Sequence, residues 1–393
     1  MSRHFYLIAG EPSGDRLGAD LMVALRAEDP DIVFSGLGGQ AMIAQGLEPI
    51  FDIAELSVMG IAEVLPKLFS LLKRISETTA DVISTTPDAL ITIDSPSFSL
   101  RVAERVRNAR PDLRTIHYVA PSVWAWRPGR ARHMARFVDH VLALLPFEPP
   151  YMEAAGMTCD FVGHPVAVRP AVDAEQVQAL RHEWTSGQKM TSLLVAPGSR
   201  RGEVNRLMPL FRDVLAELLD RGLDVSVVIP VAETVVGPVQ DAIDTLPVRP
   251  ILILPEDGEV KKLLAFAACD AALVASGTIT LEMAAARTPM VACYRTNWLT
   301  AEIVRRVVKV DTANLINLVA GRRIVPEFLQ EYSTIEAVTN ALVPLLAPSS
   351  PEIDAQLAAF SEVMANLGGE GPTPSQRAAR SVLGVCLGGV PRS

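Results

Sequence analysis

Residues 271–287, AALVASGTITLEMAAAR, combine small, polar and acidic residues in an order suited to binding a phosphate. The run is read as a buried strand, the turn Ser276-Gly277-Thr278 and a helix that includes Leu281–Arg287. A strand, a turn and a helix in that order direct backbone N–H groups and the positive end of a helix dipole to one place, where an anion is stabilised. Glu282 is then close enough to bind a sugar hydroxyl beside the phosphate. The simpler alternative is that Ser276 or Thr278 only caps the helix.

A second turn of similar chemistry follows the apolar run Ser192–Ala196. It reads Pro197-Gly198-Ser199-Arg200, in which glycine permits close backbone approach and arginine can hold a diphosphate. Two such turns in one predicted sheet favour convergence on a nucleotide diphosphate. The Walker pattern and the GxGxxG fingerprint are both absent, which disfavours a P-loop ATPase and a NAD enzyme.

The candidate acid–base residues lie in the first half of the chain. Asp94 ends a predicted strand and is followed by Pro96, so its carboxylate is a candidate general base; an Asx turn or a helix cap is the structural alternative. Glu11 and Asp15, after the first strand, are rival bases or substrate ligands. His117 is interpreted as structural rather than catalytic. The histidines show no metal-ligand spacing, so no metal site is predicted.

Two of the four tryptophans, Trp124 and Trp126, occur close together in a loop that also contains Ser122 and Arg127. Core packing would explain one tryptophan. A pair beside an arginine indicates the wall of a binding cleft.

The segment Val64–Ser76, VLPKLFSLLKRIS, predicts an amphipathic helix with a broad apolar face and only basic charges opposite. A core-facing helix is one explanation. The other is an interfacial helix that enters the lipid surface while its basic residues meet anionic head groups. The membrane interpretation assigns contact to six residues: Leu65, Leu68, Phe69, Leu72, Lys73 and Arg74.

Bulk composition limits the classes of protein that the chain can belong to. Its 393 residues, 49% hydrophobic and 21% charged, indicate a globular protein of two domains. A net charge of −9 argues against nucleic acid as a partner, and four dispersed cysteines indicate reduced thiols. No signal peptide and no apolar run of about 20 residues is found, so a cytoplasmic protein is expected.

Short apolar runs alternate with helical patterns through most of the chain, which predicts two doubly wound parallel sheets facing a central cleft. The pattern stops near Gly163-His164-Pro165 and resumes at Ser192. The expected division is an N-terminal acceptor-binding and membrane-contacting domain over 1–165, a nucleotide-sugar domain over 166–345, and C-terminal helices over 346–393.

An ordered series of motifs resembles the lipid-A-disaccharide synthase family, glycosyltransferase family 19, nearly from end to end. The block PSVWAW and the order of the whole series carry the resemblance, since SGT alone is common. The matching segments are GEPSGD at 10–15, VMG at 58–60, EVL at 63–65, IDSP at 93–96, HYVAPSVWAW at 117–126, LPFE at 145–148, FVGHP at 161–165, PGSR at 197–200, ASGT at 275–278 with Glu282, NLVAGR at 317–322, PE at 326–327 and Gln330.

The resemblance implies a GT-B fold and an inverting sugar transfer that uses no metal or cofactor. The 2,3-diacylglucosamine of a UDP-sugar would join the 6-hydroxyl of 2,3-diacylglucosamine 1-phosphate through a β-1,6 linkage, and UDP would leave. Asp94 would be the base. The expected UDP-binding residues are Arg200, Ser276, Gly277, Thr278, Glu282, Asn317 and Gln330, and the expected acceptor-side residues are Glu11, Ser13, Asp15, Ser122, Trp124 and Trp126.

The resemblance also implies a peripheral enzyme on the cytoplasmic face of the inner membrane, with no nucleic acid partner. Its C-terminal helices would pack on the N-terminal domain or be exchanged within a homodimer. Two other classes remain open. One is another GT-B enzyme, of the UDP-GlcNAc 2-epimerase or muramyl-lipid glycosyltransferase type, and the other is a membrane-attached nucleotide-binding module.

Overall fold

A computed structural model describes residues 3–57, 64–124, 129–184, 190–296 and 312–387, with the side chains of 57 and 64–68 outside the description. The chain forms two compact units. Unit 1 comprises Met1–Val168 and Leu367–Ser393, and unit 2 comprises Arg169–Asn366. The first unit therefore contains both ends of the chain.

Unit 1 is built on a six-stranded parallel sheet with the strand order β2-β1-β3-β4-β5-β6. Its apolar residues alternate between two cores. Tyr6 and Ile8 enter one of them and Phe5 and Leu7 the other, as expected for strands covered on both faces. The strands are β1 (His4–Ala9), β2 (Val33–Leu37), β3 (Ala89–Ile93), β4 (Arg114–Tyr118), β5 (His140–Ala143) and β6 (Thr158–Phe161).

The helices of unit 1 cover the faces of its sheet. The first begins at Pro12, a residue whose fixed φ suits an N-terminal helical position, so Ser13 and Asp15 lie in a helix. The described helices are α1 (Pro12–Glu28), α2 (Gln40–Ala44), α3 (Ala54–Ser57), α4 (Val64–Thr85), α5 (Ser99–Ala109), α6 (Gly129–Met134) and α7 (Pro149–Glu153).

Unit 2 has a second six-stranded parallel sheet, ordered β12-β11-β10-β7-β8-β9. Leu193 and Val195 of β7 and Leu273 of β10 pack with Phe211 and Leu215 in its core. The strands are β7 (Thr191–Ala196), β8 (Val225–Pro230), β9 (Ile251–Ile253), β10 (Ala271–Ala275), β11 (Met290–Tyr294) and β12 (Glu327–Leu329).

The described helices that follow Val168 belong to unit 2 with one exception. The last described helix, α16, joins the core of unit 1 through Ala378, Ala379 and Val382 and packs beside α1. The described helices are α8 (Ala174–Trp184), α9 (Arg201–Asp220), α10 (Val236–Ile243), α11 (Gly258–Ala268), α12 (Ile279–Ala285), α13 (Leu315–Ala320), α14 (Ile335–Leu342), α15 (Pro351–Met364) and α16 (Pro374–Leu387).

The structure divides the C-terminal segment that the sequence analysis treated as one region, 346–393. Helix α15 is part of unit 2, whereas α16 belongs to unit 1 of the same chain. The first boundary lies after Val168 rather than after residue 165. Ser350 caps α15 by accepting a hydrogen bond from the Ile353 N–H, and Pro351 follows it, so α15 begins with a strong local signal.

Gly36 lets β2 lie close to β1. Its φ is +135°, and a Cβ at this position would lie 1.9 Å from the carbonyl oxygen of Leu7. Only glycine satisfies both conditions.

Gly36→Ala is therefore expected to lower the free energy of unfolding by roughly 3 kcal/mol or more, because the strands must separate or the backbone must be strained. Urea denaturation would measure the change. The matched control is Gly129→Ala in the same unit, where a Cβ meets nothing within 4 Å. Equal stability of the two variants would contradict this account.

Candidate functional site

The order of strands in unit 2 brings the two predicted phosphate-binding turns to the same edge of the sheet. Strands β7 and β10 are hydrogen-bonded neighbours, and the chain winds outward from them in opposite directions. Ligands of open parallel sheets bind at such a reversal, beyond the carboxyl ends of the strands. Pro197-Gly198-Ser199-Arg200 follows β7, and Ser276-Gly277-Thr278 follows β10.

Arg200 presents an accessible cation at this edge. Its side chain is 83% exposed, and its Nη1 lies 3.2 Å from Oε1 of Glu203. The other carboxylate oxygen of Glu203 accepts the N–H of Ser199 at 3.0 Å. Gly198, with a φ of +117°, leaves room for this carboxylate, since a Cβ there would overlap it. Glu203 therefore caps α9 while the guanidinium of Arg200 extends toward solvent.

Ser276 is held by the protein through both of its donors. Its hydroxyl donates to Oε1 of Glu327 at 2.7 Å, and its N–H donates to the carbonyl of Cys293 at 2.8 Å. Glu327 also accepts from the hydroxyl of Thr312 at 2.5 Å. The side chain of Ser276 can thus offer a ligand only its hydroxyl lone pairs, while the N–H groups of Gly277 and Thr278 have no acceptor among the described residues. No role for Glu327 can be predicted from the sequence, because no local pattern relates it to Ser276, 51 residues earlier.

Glu282 lies on the first turn of α12, as expected, and is held by two cations. Nη1 of Arg169 is 2.8 Å from its Oε1, and Nζ of Lys262 is 3.6 Å away. The side chain remains 20% exposed. These ion pairs fix the carboxylate near the Ser276 turn.

The other two residues expected at the donor site differ from each other. Asn317 is buried, and its amide is saturated by the chain: its oxygen accepts from Ile324 and Val325 N–H groups, and its nitrogen donates to the Val325 carbonyl and to Thr312. Asn317 therefore organises this loop and has no hydrogen bond left for a ligand. Gln330 has a positive φ of 52° and accepts the N–H of Thr296 at 3.2 Å.

In unit 1 the strand order reverses between β1 and β3, and Asp94 stands at that point, directly after β3. Its backbone has a φ of +48°, and its N–H donates to the carbonyl of Tyr118. The hydroxyl of Ser99 binds the Asp94 carbonyl. This unusual conformation of a non-glycine residue is typical of a functional turn.

Asp94 lines a cavity of about 190 Å³ together with His117, Ser122 and Arg130. His117 is buried, and its Nδ1 lies 2.8 Å from the hydroxyl of Thr92. Burial and the charge of Arg130 lower the pKa of His117 to about 3, so its imidazole is neutral at physiological pH. His117, interpreted from the sequence as a structural residue, also borders the cavity of Asp94.

Asp15 does not have the free carboxylate that a base or substrate ligand needs. It is buried, and it accepts the N–H groups of Gly39, Ala41 and Met42 at 2.7–3.0 Å. Asp15 therefore caps α2 from the neighbouring helix, and its expected acceptor role is corrected to a structural one. Glu11 and Ser13, four and two residues before Asp15, are exposed.

Trp124 packs within unit 1 and does not line the cavity of Asp94. Its ring meets Phe147 edge to face at 5.2 Å, and its Nε1 donates to Glu148 at 3.4 Å. Trp126, predicted beside it, lies outside the described residues. Glu148 is buried and also accepts the Leu145 N–H; burial raises its pKa to about 7.

The raised pKa of Glu148 predicts a pH-dependent stability. The folded chain binds this proton more tightly than the unfolded chain, so stability falls as pH rises from about 4.5 to about 7 and the loss is complete above that. Between pH 6 and pH 8 the loss is about 1 kcal/mol. Glu148→Gln cannot titrate at this position. In urea denaturation its free energy of unfolding is therefore expected to fall between pH 6 and pH 8 by about 1 kcal/mol less than that of the unaltered protein. Identical pH profiles would contradict burial of an ionisable group here.

Helix α4 begins at Val64, where the amphipathic helix is predicted, and it continues to Thr85. Its contact with a membrane stays a prediction. Phe69 is 72% exposed and Lys73 is also exposed, whereas Leu72 is half-buried. Arg74 is not directed to a head group: it pairs with Glu55 and Glu77 and stacks over Phe51. Leu65 and Leu68 lie outside the described side chains. No described helix is both long and apolar enough to cross a membrane.

The two wound sheets and their edge sites define the chain as a two-domain α/β protein of the GT-B class. The fold is similar to that of a UDP-GlcNAc 2-epimerase from Neisseria meningitidis, with a TM-score of 0.63 and 12% identity over 98% of this chain and 100% of that one. It is also similar to the glycosyltransferase of kitacinnamycin, with a TM-score of 0.60 and 16% identity over 98% and 99% of the two chains.

Sequence relatives identify the family. The model of the lipid-A-disaccharide synthetase family matches residues 5–367. The lipid-A-disaccharide synthase of Ruegeria pomeroyi is 51% identical over 96% of this chain and 94% of its own, and that of Rhodospirillum centenum is 46% identical over 97% and 94%. The chain belongs to the lipid-A-disaccharide synthase family and is a glycosyltransferase of lipid A biosynthesis.

Proposed function

We propose that this chain transfers 2,3-diacylglucosamine from its UDP-sugar to the 6-hydroxyl of 2,3-diacylglucosamine 1-phosphate, with inversion at the anomeric carbon and release of UDP. The observation that carries the proposal is the pair of turns after β7 and β10, which meet at the strand reversal of unit 2 in a chain of this family. No metal is assigned a part in the reaction.

Unit 2 binds the donor in this proposal. The Arg200 guanidinium and the N–H groups of Gly277 and Thr278 hold the diphosphate, whose negative charge increases as the glycosidic bond breaks. Glu282 accepts hydrogen bonds from the ribose hydroxyls, held in place by Arg169 and Lys262. Ser276, Asn317 and Gln330 support this site from the protein side, because their own hydrogen bonds fix the surrounding backbone.

Unit 1 binds the acceptor sugar. The Asp94 carboxylate takes the proton of the acceptor 6-hydroxyl. At the same time the 6-hydroxyl oxygen bonds to the anomeric carbon of the donor, and the bond from that carbon to UDP breaks. Location at the strand reversal of unit 1, in a cavity, supports this role. Ser122 lines the same cavity.

Asp94→Asn is expected to lower kcat by about 10²–10⁴-fold, because general-base catalysis contributes that much.

Arg200→Ala is expected to lower kcat/KM for the UDP-sugar by about 10²-fold, since the negative charge that develops on the diphosphate in the transition state then lacks its cation. Disaccharide formation from purified donor and acceptor measures both. The control is the exposed neighbour Arg201→Ala, and normal turnover by Asp94→Asn and Arg200→Ala would refute the mechanism.

We infer further that α4 binds the cytoplasmic face of the inner membrane, where a diacylated acceptor lies. Its exposed Phe69 is an apolar side chain beside the basic Lys73, the combination that enters an anionic lipid interface.

Phe69→Ser is expected to weaken binding to vesicles containing anionic phospholipid by roughly 30-fold, because burial of a phenylalanine contributes about 2 kcal/mol. Vesicle co-sedimentation measures the effect. Val23→Ser on α1, which is 51% exposed, is the matched control. Unchanged binding, or a lowered Tm that reveals a packing role for Phe69, would contradict the membrane assignment.

A further inference from the structure

Arg130 is a cation at the cavity of Asp94 that the proposed mechanism leaves unused. It is the second residue of α6 and lines the cavity together with Asp94 and His117. It is half-buried, yet in the described part of the chain it forms no ion pair and donates no hydrogen bond. A guanidinium with five N–H donors removed partly from water is stabilised when an acceptor occupies its cavity.

The cavity holds two opposite charges that do not neutralise each other. Asp94 is fixed by the positive φ values of Asp94 and Ser95, and Arg130 belongs to a different element, α6. Two side chains of opposite charge thus share one cavity without pairing. They suit a ligand that offers a hydrogen-bond donor to the carboxylate and an anionic group to the guanidinium.

His117 supplies the third feature of the cavity. Its Nδ1 is taken by Thr92, so Nε2 is the nitrogen left for a ligand. Because the imidazole is neutral, it adds no charge and can hydrogen-bond a hydroxyl or phosphate oxygen. Among the described residues that line this cavity, Arg130 is the one positive side chain.

We propose that Arg130 binds the phosphate monoester of the acceptor, so that this cavity selects a sugar 1-phosphate over the same sugar without its phosphate. The planar guanidinium can contact two phosphate oxygens, while Asp94 engages the hydroxyl. Arg130 is then a specificity-determining residue. This assignment rests on the proposed function for the identity of the acceptor.

The test compares two ligands and three protein variants. The ligands are 2,3-diacylglucosamine 1-phosphate and 2,3-diacylglucosamine without phosphate, both in detergent micelles, and each is assayed for equilibrium binding and for transfer from the UDP-sugar. The variants are Arg130→Gln, Arg130→Lys and, as the matched control on the same helix, the exposed Arg132→Gln, which does not line the cavity.

The unaltered protein and Arg132→Gln are expected to prefer the phosphorylated ligand by about tenfold or more. Arg130→Gln should lose that preference in KM and in binding while it keeps its affinity for the ligand without phosphate. Arg130→Lys should recover part of it, because charge is retained without the planar fork.

Equal weakening toward both ligands, or an unchanged preference, would overturn the assignment of Arg130. Failure of the unaltered protein to transfer sugar would refute the proposed function instead. In that case the binding measurements still decide the role of Arg130, because they require no turnover.

Discussion

Parallel pairing of neighbouring strands is the constraint on which both candidate sites depend. In each sheet all strands end at the same edge. The residues that follow adjacent strands therefore become neighbours in space even when they are far apart in the sequence. Strands β7 and β10 bring together turns that are nearly 80 residues apart, and β1 and β3 do the same for Gly10 and Ser95. The latter pair is so close that a Cβ on Gly10 would lie 2.7 Å from the Ser95 hydroxyl oxygen.

The internal strands could be predicted from sequence because they are continuous apolar runs buried on both faces, such as Ala89–Ile93 and Ala271–Ala275. Two of the four edge strands, β6 and β12, do not show this pattern. They are only four and three residues long, and they include Asp160 and Glu327, so they lack the apolar run that signals a buried strand.

The candidate site was predictable to the extent that it follows the ends of strands. Asp94, Arg200 and Glu282 lie where the local pattern places them. The pattern could not distinguish a carboxylate available to a ligand from one consumed by the fold. Asp15 is bound by three N–H groups of another helix, and the amide of Asn317 by residues up to eight positions away. These partners depend on tertiary packing, and so does the contact between Ser276 and Glu327.

Helix α16 determines when unit 1 can finish folding during synthesis. The apolar face of α1, with Leu21 and Leu25, shares a core with Ala378 and Val382, which the ribosome adds after the whole of unit 2. Until then the first unit has an uncovered hydrophobic surface, and it cannot finish folding in the order of its synthesis. A nascent chain released before α16 would therefore expose that surface to chaperones or to aggregation, although its second unit were already intact.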